Sequence, residues 1–414
     1  MKLSEFFDRL VDEDIDVGFR AYDGSAAGPA HAPTVVELRS PLALRYLLTA
    51  PGELGLARAY VTGALEIHGD LHDALAGLLA HRRIDVRPLD ILRVVGGLGR
   101  SALRPPPIPP EEAPPPWRRK LHRHSPERDA AAIEHHYDLS NRFYELVLGP
   151  SMTYSCAVFP RPDSSLRVAQ REKIDLICRK LDLRPGQRLL DVGAGWGALI
   201  RHAAEHYGVS ALGVTLSREQ VAWARRAIED DRLQAQVEIR HLDYRNVPET
   251  GFDAISSVGT MEHIGSSELG AHFSLLASKL RPEGRILNHT ITRPSNVGAK
   301  KIGGFNDRYI FPDGELQGPG TVVGAMHDHG LEIRHGESLR EHYGMTLREW
   351  GRNLERHWDA AVAEVGERKA RAWRLYMAVS RIAFETNRVE IHQFLGVRTE
   401  SDGQSGVPLR PWWG

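Results

Sequence analysis

The stretch that decides the fold of this 414-residue chain reads Arg188-Leu189-Leu190-Asp191-Val192-Gly193-Ala194-Gly195-Trp196-Gly197. Its first half, up to Val192, is typical of a buried strand, and a helical pattern begins at Ala198. Glycines between a strand and a helix adopt positive φ without strain and let the backbone approach a bound ligand closely. The stretch therefore predicts a strand, a ligand-binding turn and a helix.

The alternation of strand and helix continues on both sides of this turn. Before it, Ile174, Ile177 and Leu181 have the spacing of one helix face. After it, Ser217 to Ala227 is typical of a second helix. Further strands are predicted at Ala211–Leu216, Val237–Leu242, Phe252–Val258 and Arg285–Ile291. Strands that alternate with helices predict an α/β fold with a mostly parallel, doubly wound sheet.

The spacing of the glycines indicates which ligand the turn binds. It is D-x-G-x-G-x-G, from Asp191 to Gly197, and it lacks the G-x-G-x-x-G of dinucleotide sites. The second strand ends at Thr215-Leu216-Ser217, without the terminal acidic residue that binds a nicotinamide ribose. These features favour S-adenosylmethionine. A nucleotide cofactor and a turn that has lost its ligand are the alternatives.

The composition argues against several classes of protein. Hydrophobic residues make up 42% of the chain and charged residues 26%, as in a globular protein. The net charge of −1 favours neither nucleic acid nor an anionic bilayer as partner. Cys156 and Cys178 form no Cys-x-x-Cys pair, and no residue cluster has metal-ligand spacing, so no metal is expected. No apolar run approaches the ~20 residues that span a bilayer, which predicts a cytoplasmic protein.

Three segments are expected along the chain. Residues 1–104 are expected to form a small mixed α/β accessory domain, and residues 125–414 are expected to form a larger catalytic domain. Residues 105–124 are expected to form a linker, because eight prolines crowd between Pro105 and Pro116. Within it, the basic run Trp117–His124 is either a solvated connector or a contact with lipid headgroups, where each cation contributes ~1 kcal/mol.

A series of ordered motifs runs from Ile133 to the end of the chain. They are His136-Tyr137-Asp138-Leu139-Ser140-Asn141, Met152-Thr153-Tyr154-Ser155-Cys156-Ala157, the glycine turn, Gly213-Val214-Thr215-Leu216-Ser217-Arg218-Glu219-Gln220, Met261-Glu262-His263-Ile264-Gly265, His289-Thr290-Ile291, Tyr309-Ile310-Phe311-Pro312 and His342-Tyr343-Gly344-Met345-Thr346-Leu347. Through these motifs the sequence resembles the cyclopropane fatty acid synthase and mycolic acid methyltransferase family.

A narrower resemblance rests on Phe19–Ser25, Gly55–Tyr60 and Pro408–Trp413. These segments are similar to those of the actinobacterial methyltransferases that make 10-methylene fatty acids. Such products are precursors of 10-methyl chains such as tuberculostearic acid.

The resemblance implies a Rossmann-like methyltransferase domain and a smaller N-terminal domain. It also implies an activity, the transfer of one carbon from S-adenosylmethionine to the cis double bond of an oleoyl-type acyl chain on a membrane phospholipid. A hydride shift would move the resulting carbocation to the neighbouring carbon, which bears the added methyl group, and loss of a proton from that group to a bound bicarbonate ion would give a 10-methylene chain. The expected holders of the ion are the side chains of Glu262, His289 and Tyr343, with the backbone N–H groups of Cys156 and Ile291.

The same resemblance assigns residues to the cofactor. Those expected to contact its methionine, ribose and adenine are Tyr154, Ser155, Asp191, Gly193, Ala194, Gly195, Gly197, Thr215, Leu216, Gln220, Asp243, Tyr244 and Arg245. The last three differ from the tryptophan–glutamate pair of the mycolic acid branch. Phe143, Tyr144 and Tyr154 are candidates to stabilise a cation through their ring faces.

Other functions use the same scaffold. A cyclopropane-forming synthase needs the same cofactor and base as a methylene-forming enzyme. A small-molecule N-methyltransferase does not require the bicarbonate holders, and a non-catalytic lipid-binding protein does not require Glu262. A phospholipid substrate implies transient, peripheral contact with the inner membrane face. A 10-methyl end product implies a partner reductase, and a second copy of the chain is a further candidate partner.

Overall fold

The computed structural model describes residues 1–12, 14–81, 90, 93–94, 96, 105–114, 139–297, 300–301 and 303–413. Within these ranges the helices are α1 (Leu3–Leu10), α2 (Pro41–Thr49), α3 (Glu53–Val61), α4 (Leu71–Ala80), α5 (Asn141–Leu148), α6 (Leu166–Lys180), α7 (Ala198–Tyr207), α8 (Arg218–Asp230), α9 (Leu269–Lys279), α10 (Gly304–Tyr309), α11 (Pro319–Asp328), α12 (Arg340–Arg356), α13 (Trp358–Val365) and α14 (Glu367–Glu385).

The strands of the described residues are β1 (Val17–Ala21), β2 (Ala26–Ala27), β3 (Thr34–Leu38), β4 (Leu65–His68), β5 (Arg188–Val192), β6 (Ser210–Thr215), β7 (Val237–His241), β8 (Phe252–Val258), β9 (Leu280–Thr292), β10 (Lys300–Lys301), β11 (Glu315–Leu316), β12 (Glu332–Ser338) and β13 (Glu390–Val397). Short 3-10 helices lie at Tyr244–Asn246, Met261–His263 and Ser266–Glu268.

The chain divides into two compact units, and the second carries the larger sheet. Unit 2 comprises residues 119–302, 313–357 and 383–414. Its seven strands lie in the order β12-β13-β9-β8-β5-β6-β7. The five strands from β5 to β9 are parallel, and β13 and β12 add an antiparallel edge. The predicted doubly wound α/β sheet is confirmed.

Helices cover both faces of this sheet, and each face has its own apolar core. On one face Ile177 of α6, Ile200 of α7 and Ala224 of α8 are all fully buried against the strands. On the other face Phe273 of α9 and Met326 of α11 are equally buried. Serine side chains cap the N-termini of three helices. The hydroxyl groups of Ser140, Ser165 and Ser217 accept hydrogen bonds from backbone N–H groups at the starts of α5, α6 and α8.

Unit 1 comprises residues 1–118, 303–312 and 358–382. Its sheet has the order β2-β1-β3-β4, with β1 and β3 parallel and the outer pairs antiparallel. Arg371 of α14 is buried in this unit, where its guanidinium pairs with Glu66 at 2.8 Å and lies 4.2 Å from the ring centre of Tyr60.

Unit 1 is not the continuous segment expected from the sequence, because residues 303–312 and 358–382, from the range 125–414, also belong to it. Buried charges give the physical reason. Glu112, whose carboxylate is inaccessible to solvent, binds Arg58 through two hydrogen bonds of 2.7 and 2.8 Å and also pairs with Arg308. The described part of the proline-rich segment, residues 105–114, thus packs within unit 1. The expected basic run Trp117–His124 lies outside the described residues.

Candidate active site

A cavity of about 290 Å³ opens at the carboxyl ends of β5, β6, β7 and β8. The chain leaves β5 towards β6 on one side, and β8 lies on the other. Open α/β sheets bind ligands at such a switch point, because the loops diverge there and leave a crevice. The loops after the four strands line the cavity together with residues 152–155, α6 and α9.

Most residues that the sequence assigned to the cofactor meet at this cavity. Twelve of the thirteen line it: Tyr154, Ser155, Asp191, Gly193, Ala194, Gly195, Thr215, Leu216, Gln220, Asp243, Tyr244 and Arg245. Gly197 is the thirteenth. It stands at the start of α7 in a left-handed conformation, outside the lining.

Two glycines of the turn have separate reasons to lack a side chain. Gly193 has φ +77°, and a Cβ there would stand 2.3 Å from Oγ1 of Thr260, which itself donates to Val192 O. Gly195 has φ +54°, and a Cβ there would meet no atom within 4 Å. Because Gly195 lines the cavity, its side chain would enter the space that a ligand takes.

Buried charges lie on one wall of the cavity. Lys173 of α6 is almost fully buried and its Nζ donates to the Ser155 hydroxyl at 2.8 Å. Burial lowers the pKa of Lys173 to about 8, opposed by Cys156 and Asp191. Burial raises the pKa of Asp191 to about 6, while a hydrogen bond from Ser256 at 2.6 Å and the charge of Lys173 act in the opposite direction.

The opposite end of the cavity is built from β6, β7 and α9. The guanidinium and the backbone N–H of Arg245 both donate hydrogen bonds to the carboxylate of Asp243. The hydroxyl of Tyr244 lies 2.9 Å from Nδ1 of His272, and burial lowers the pKa of that imidazole to about 3. Tyr244 is therefore held in place by His272, a partner that the sequence pattern did not single out, and Asp243 by Arg245, which it did.

Glu262 and Ile291, both predicted as holders of the ion, are in contact. Strand β8 pairs with β9 only as far as Val258, opposite His289, and the next bridge on that side joins Thr292 to Gln317, so Ile291 has no strand partner there. There the backbone N–H of Ile291 donates to Oε1 of Glu262 at 2.6 Å. Oε2 of Glu262 is buried and has no hydrogen-bond partner among the described residues. Burial raises the pKa of this carboxyl, with the Ile291 bond acting against it.

His289 lies two residues earlier on β9 and is 1% exposed. Its Nδ1 is 3.1 Å from Nε2 of Gln393, which stands opposite it on β13. Its Nε2 is buried without a hydrogen-bond partner in the described part of the chain. Burial, followed by the positive charges of Lys173 and Lys180, holds the pKa of His289 well below its usual value.

Cys156 and Tyr343 are connected through one backbone carbonyl. The thiol of Cys156 is fully buried and lies 3.8 Å from Leu339 O, which also accepts the backbone N–H of Tyr343 at 3.1 Å. Burial raises the pKa of this thiol above its ordinary value. A thiol that resists ionisation is a poor nucleophile, so the buried side chain of Cys156 serves packing.

A row of aromatic side chains runs from the glycine turn to Tyr343. The ring centres of Tyr144 and Trp196 are 4.8 Å apart, those of Tyr144 and Tyr154 6.0 Å, and those of Tyr154 and Trp350 5.3 Å. Trp350 in turn lies 6.0 Å from Tyr343. Phe143, another candidate from the sequence, packs edge-on against Tyr144.

Lys173, Lys180, Gln393 and Trp350 were missed by the sequence reasoning. A faint signal existed for the lysines. Lys173 and Lys180 flank Ile177 at helical spacing, so α6 places two lysines on its buried face. A lysine at a buried position requires partners, and this is the feature that could have identified them.

The match to known proteins extends over this whole site. A family model described as mycolic acid cyclopropane synthetase matches residues 124–394. The chain belongs to this family. It is therefore an enzyme of the methyltransferase and cyclopropane synthase type.

Among the relatives, a probable fatty acid methyltransferase of Mycobacterium tuberculosis is 51% identical over 404 residues, which cover 95% of this chain and 94% of that protein. The cyclopropane-fatty-acyl-phospholipid synthase of Escherichia coli K12 is 34% identical over 272 residues, 65% of this chain and 68% of that one. A crystal structure of a mycolic acid cyclopropane synthase complexed with SAH and CTAB is 33% identical, with a TM-score of 0.61 over 65% of this chain and 98% of that chain.

S-adenosylmethionine is the cofactor that membership of the family implies, and the cavity fits it. A buried lysine and the Ser155 hydroxyl offer donors to a carboxylate, Gly195 leaves space beside them, and Leu242, Ile264 and Leu275 add apolar surface for a base. The cofactor supplies an electrophilic methyl group when bound.

Proposed function

We propose that this enzyme adds a one-carbon unit to the cis double bond of an oleoyl-type acyl chain on a membrane phospholipid and forms a 10-methylene chain. The observation that carries the proposal is the pair of buried polar atoms on Glu262 and His289 that have no partner among the described residues. The names of the relatives support a fatty acyl substrate, since one is a fatty acid methyltransferase and another a fatty-acyl-phospholipid synthase.

The ion that we propose for these atoms is bicarbonate. A buried polar atom without a partner costs roughly 1–3 kcal/mol, so a small ion that satisfies both Glu262 and His289 stabilises the site. Bicarbonate has one O–H to donate and oxygens that accept, and the raised pKa of Glu262 suits a carboxyl that shares a proton with it. When bound, the ion supplies the base that takes a proton from the acyl chain.

The chain's own residues have three tasks in this proposal. The aromatic row of Tyr144, Tyr154, Trp350 and Tyr343 excludes water and presents ring faces to a developing cation. Lys173 and Ser155 orient the cofactor beside Tyr154. Glu262, whose Oε1 accepts the Ile291 N–H, fixes the base together with His289, Tyr343 and the N–H group of Cys156. Such placement converts an unreactive encounter into a near-attack geometry.

We assign the methylene product because the resemblance to the methylene-forming subgroup includes segments near both ends of the chain, and the 51% identity to the mycobacterial fatty acid methyltransferase also spans both units. The same residues serve a cyclopropane synthase. The methylene product requires a hydride shift that moves the cation to the neighbouring carbon before the base removes a proton from the added methyl group, so placement of the base relative to the chain decides between the products. A partner reductase, dependent on a flavin or a nicotinamide, then converts the methylene group to a methyl branch. The enzyme associates transiently and peripherally with the inner face of the membrane, alone or as a homodimer. No helix of the described residues is long and apolar enough to cross a bilayer.

Incubation of the enzyme with oleoyl phospholipid and S-adenosylmethionine, followed by mass spectrometry and proton NMR, tests the proposal. A mass gain of one carbon with vinylidene protons supports it. High-field ring protons would overturn the product but not the substrate class. An absence of lipid product, together with methylation of small amines, would favour an N-methyltransferase instead.

A further inference from the structure

His289 is tied to two residues that lie behind it. Gln393 faces it across the β9–β13 pair, with Nε2 of the amide 3.1 Å from Nδ1 of the imidazole. The other end of that amide, Oε1, accepts a hydrogen bond of 2.7 Å from Nζ of Lys180 on α6. All three side chains are buried, and Lys180 also pairs with Glu337 on β12.

The order of these contacts fixes which atom of each group carries a proton. An ammonium group only donates, so the amide atom beside Lys180 has to be the oxygen of Gln393. The amide nitrogen then faces His289 and donates to Nδ1. An imidazole nitrogen that accepts carries no proton, so the proton of neutral His289 lies on Nε2.

We propose that Lys180 and Gln393 are positioning residues that hold His289 as the Nε2–H tautomer, so that it presents a hydrogen-bond donor to the anion site. Nε2 is the buried atom without a partner, and a donor there suits an anion, whereas the opposite tautomer would present a lone pair. The identity of the anion as bicarbonate rests on the proposed function; the tautomer itself does not.

The charges around His289 make the tautomer matter. Lys173 and Lys180 face it from α6 and His392 from β13, and all three act against its protonation; Glu337 balances only Lys180. The imidazole therefore stays neutral at working pH, where it has one proton to place. Without a fixed amide, the two tautomers would compete and part of the enzyme would lack the donor.

Nitrogen-15 NMR of histidine-labelled wild-type enzyme reads the tautomer directly, with a His289→Gln sample to identify the resonances. We expect a protonated Nε2 and an unprotonated Nδ1 at neutral pH. A protonated Nδ1 would overturn the inference. Because the measurement needs neither substrate nor turnover, it stands whether or not the enzyme makes the proposed product.

Gln393→Glu supplies the second test. A carboxylate only accepts, so it draws the proton to Nδ1, removes the Nε2 donor from neutral His289 and favours the imidazolium, which regains it. We expect turnover of the variant to fall roughly 10-fold or more at neutral pH, the scale of one lost hydrogen bond to a charged group, and to recover as the pH falls. Wild-type turnover should show no such recovery.

Gln187→Glu is the matched control, because the Gln187 oxygen accepts the backbone N–H of Arg184 at the surface and a carboxylate can do the same. It adds the same charge and should leave the pH profile unchanged. A Gln393→Glu variant whose turnover is lowered by the same factor at every pH would show a merely structural role and refute the inference. If that variant does not fold, the wild-type spectrum alone decides.

Discussion

The backbone N–H of Ile291 donates to Oε1 of Glu262 across 2.6 Å, just beyond the point where β8 has ended. A strand edge inside the protein exposes N–H groups that need acceptors, and here a buried carboxylate fills that need with one oxygen. The other oxygen of Glu262 remains available. The backbone of β9 thus orients an acid in the segment that follows β8, and the Thr290 side chain acts on the same carboxyl.

Glu262→Gln should separate structure from chemistry at this point. The amide oxygen can still accept from Ile291, so we expect the fold and cofactor binding to persist while turnover falls ~10²-fold or more, the scale of a positioned proton-transfer group. Depletion of bicarbonate should slow the wild type and affect the variant much less. Glu315→Gln is the control, because the buried Glu315 carboxylate likewise accepts a backbone N–H, that of Ser266, but is not among the residues expected to hold the ion. Equal bicarbonate sensitivity of wild type and Glu262→Gln would refute the assignment.

Gly195→Val should abolish binding of S-adenosylmethionine in calorimetry, because the side chain would enter the cavity. The control is Gly186→Val. Gly186 has a φ of +84° and equally open surroundings but lies outside the cavity lining, so it carries the backbone strain without the obstruction. Loss of binding in both variants, or in neither, would contradict this explanation.

Lys173 should make cofactor affinity depend on pH. With its pKa lowered to about 8, the ammonium is present below that value and lost above it, so the wild type should bind the cofactor carboxylate less tightly as pH rises through 8. Lys173→Met should bind roughly 10-fold more weakly at neutral pH, as expected for a lost charged hydrogen bond. Because the amino group of the ligand titrates near the same pH, the variant also reports that contribution. Parallel affinity curves for the two proteins would exclude the role.

Glu112→Gln should destabilise unit 1. It would leave the buried Arg308 and the largely buried Arg58 beside a neutral amide, a loss of about 3 kcal/mol in the free energy of unfolding. Glu37→Gln is the comparison, because the Arg39–Glu37 pair has side-chain exposures of 46% and 30%; exposed pairs contribute about 1 kcal/mol or less. Urea unfolding measures both, and similar losses would contradict the structural role of Glu112.

The basic run Trp117–His124 should attract the enzyme to anionic vesicles. Neutralising Arg118, Arg119, Lys120 and Arg123 together should reduce co-sedimentation with such vesicles and leave the melting temperature unchanged. Charge-neutral vesicles provide the control. Unchanged sedimentation would identify the run as a connector only.

The central sheet was predictable because short strands rich in apolar residues alternate with helices along the chain. Phe252–Val258 was predicted to the residue, and the turn after Val192 has the predicted form. The antiparallel strands β12 and β13 were not predicted from the sequence, because they carry polar residues such as Glu337 and Gln393. Gln393 sits in a buried strand only because Lys180 and His289 satisfy its amide, a condition set by residues more than a hundred positions away.

The cofactor cavity was likewise foreseeable from strand ends, but its buried lysine was not. A lysine on a helix is ordinarily solvated, and the helical spacing of Lys173 from Ile177 was the one local sign of its burial. The five residues expected to hold the ion came from the family resemblance alone. Their spacing in sequence carries no information about proximity, because β9, α12 and the segment of Cys156 meet only through the tertiary fold.

The return of the chain to unit 1 at residues 303–312 and 358–382 has a consequence for dissection of the protein. A fragment that starts after residue 118 keeps Arg308 and Arg371 but discards Glu112 and Glu66, their carboxylate partners. The fragment would contain two guanidinium groups that are buried in the intact protein and that have lost their carboxylate partners. The first 118 residues are therefore no removable module, and an autonomous catalytic core would require both insertions to be redesigned along with the cut.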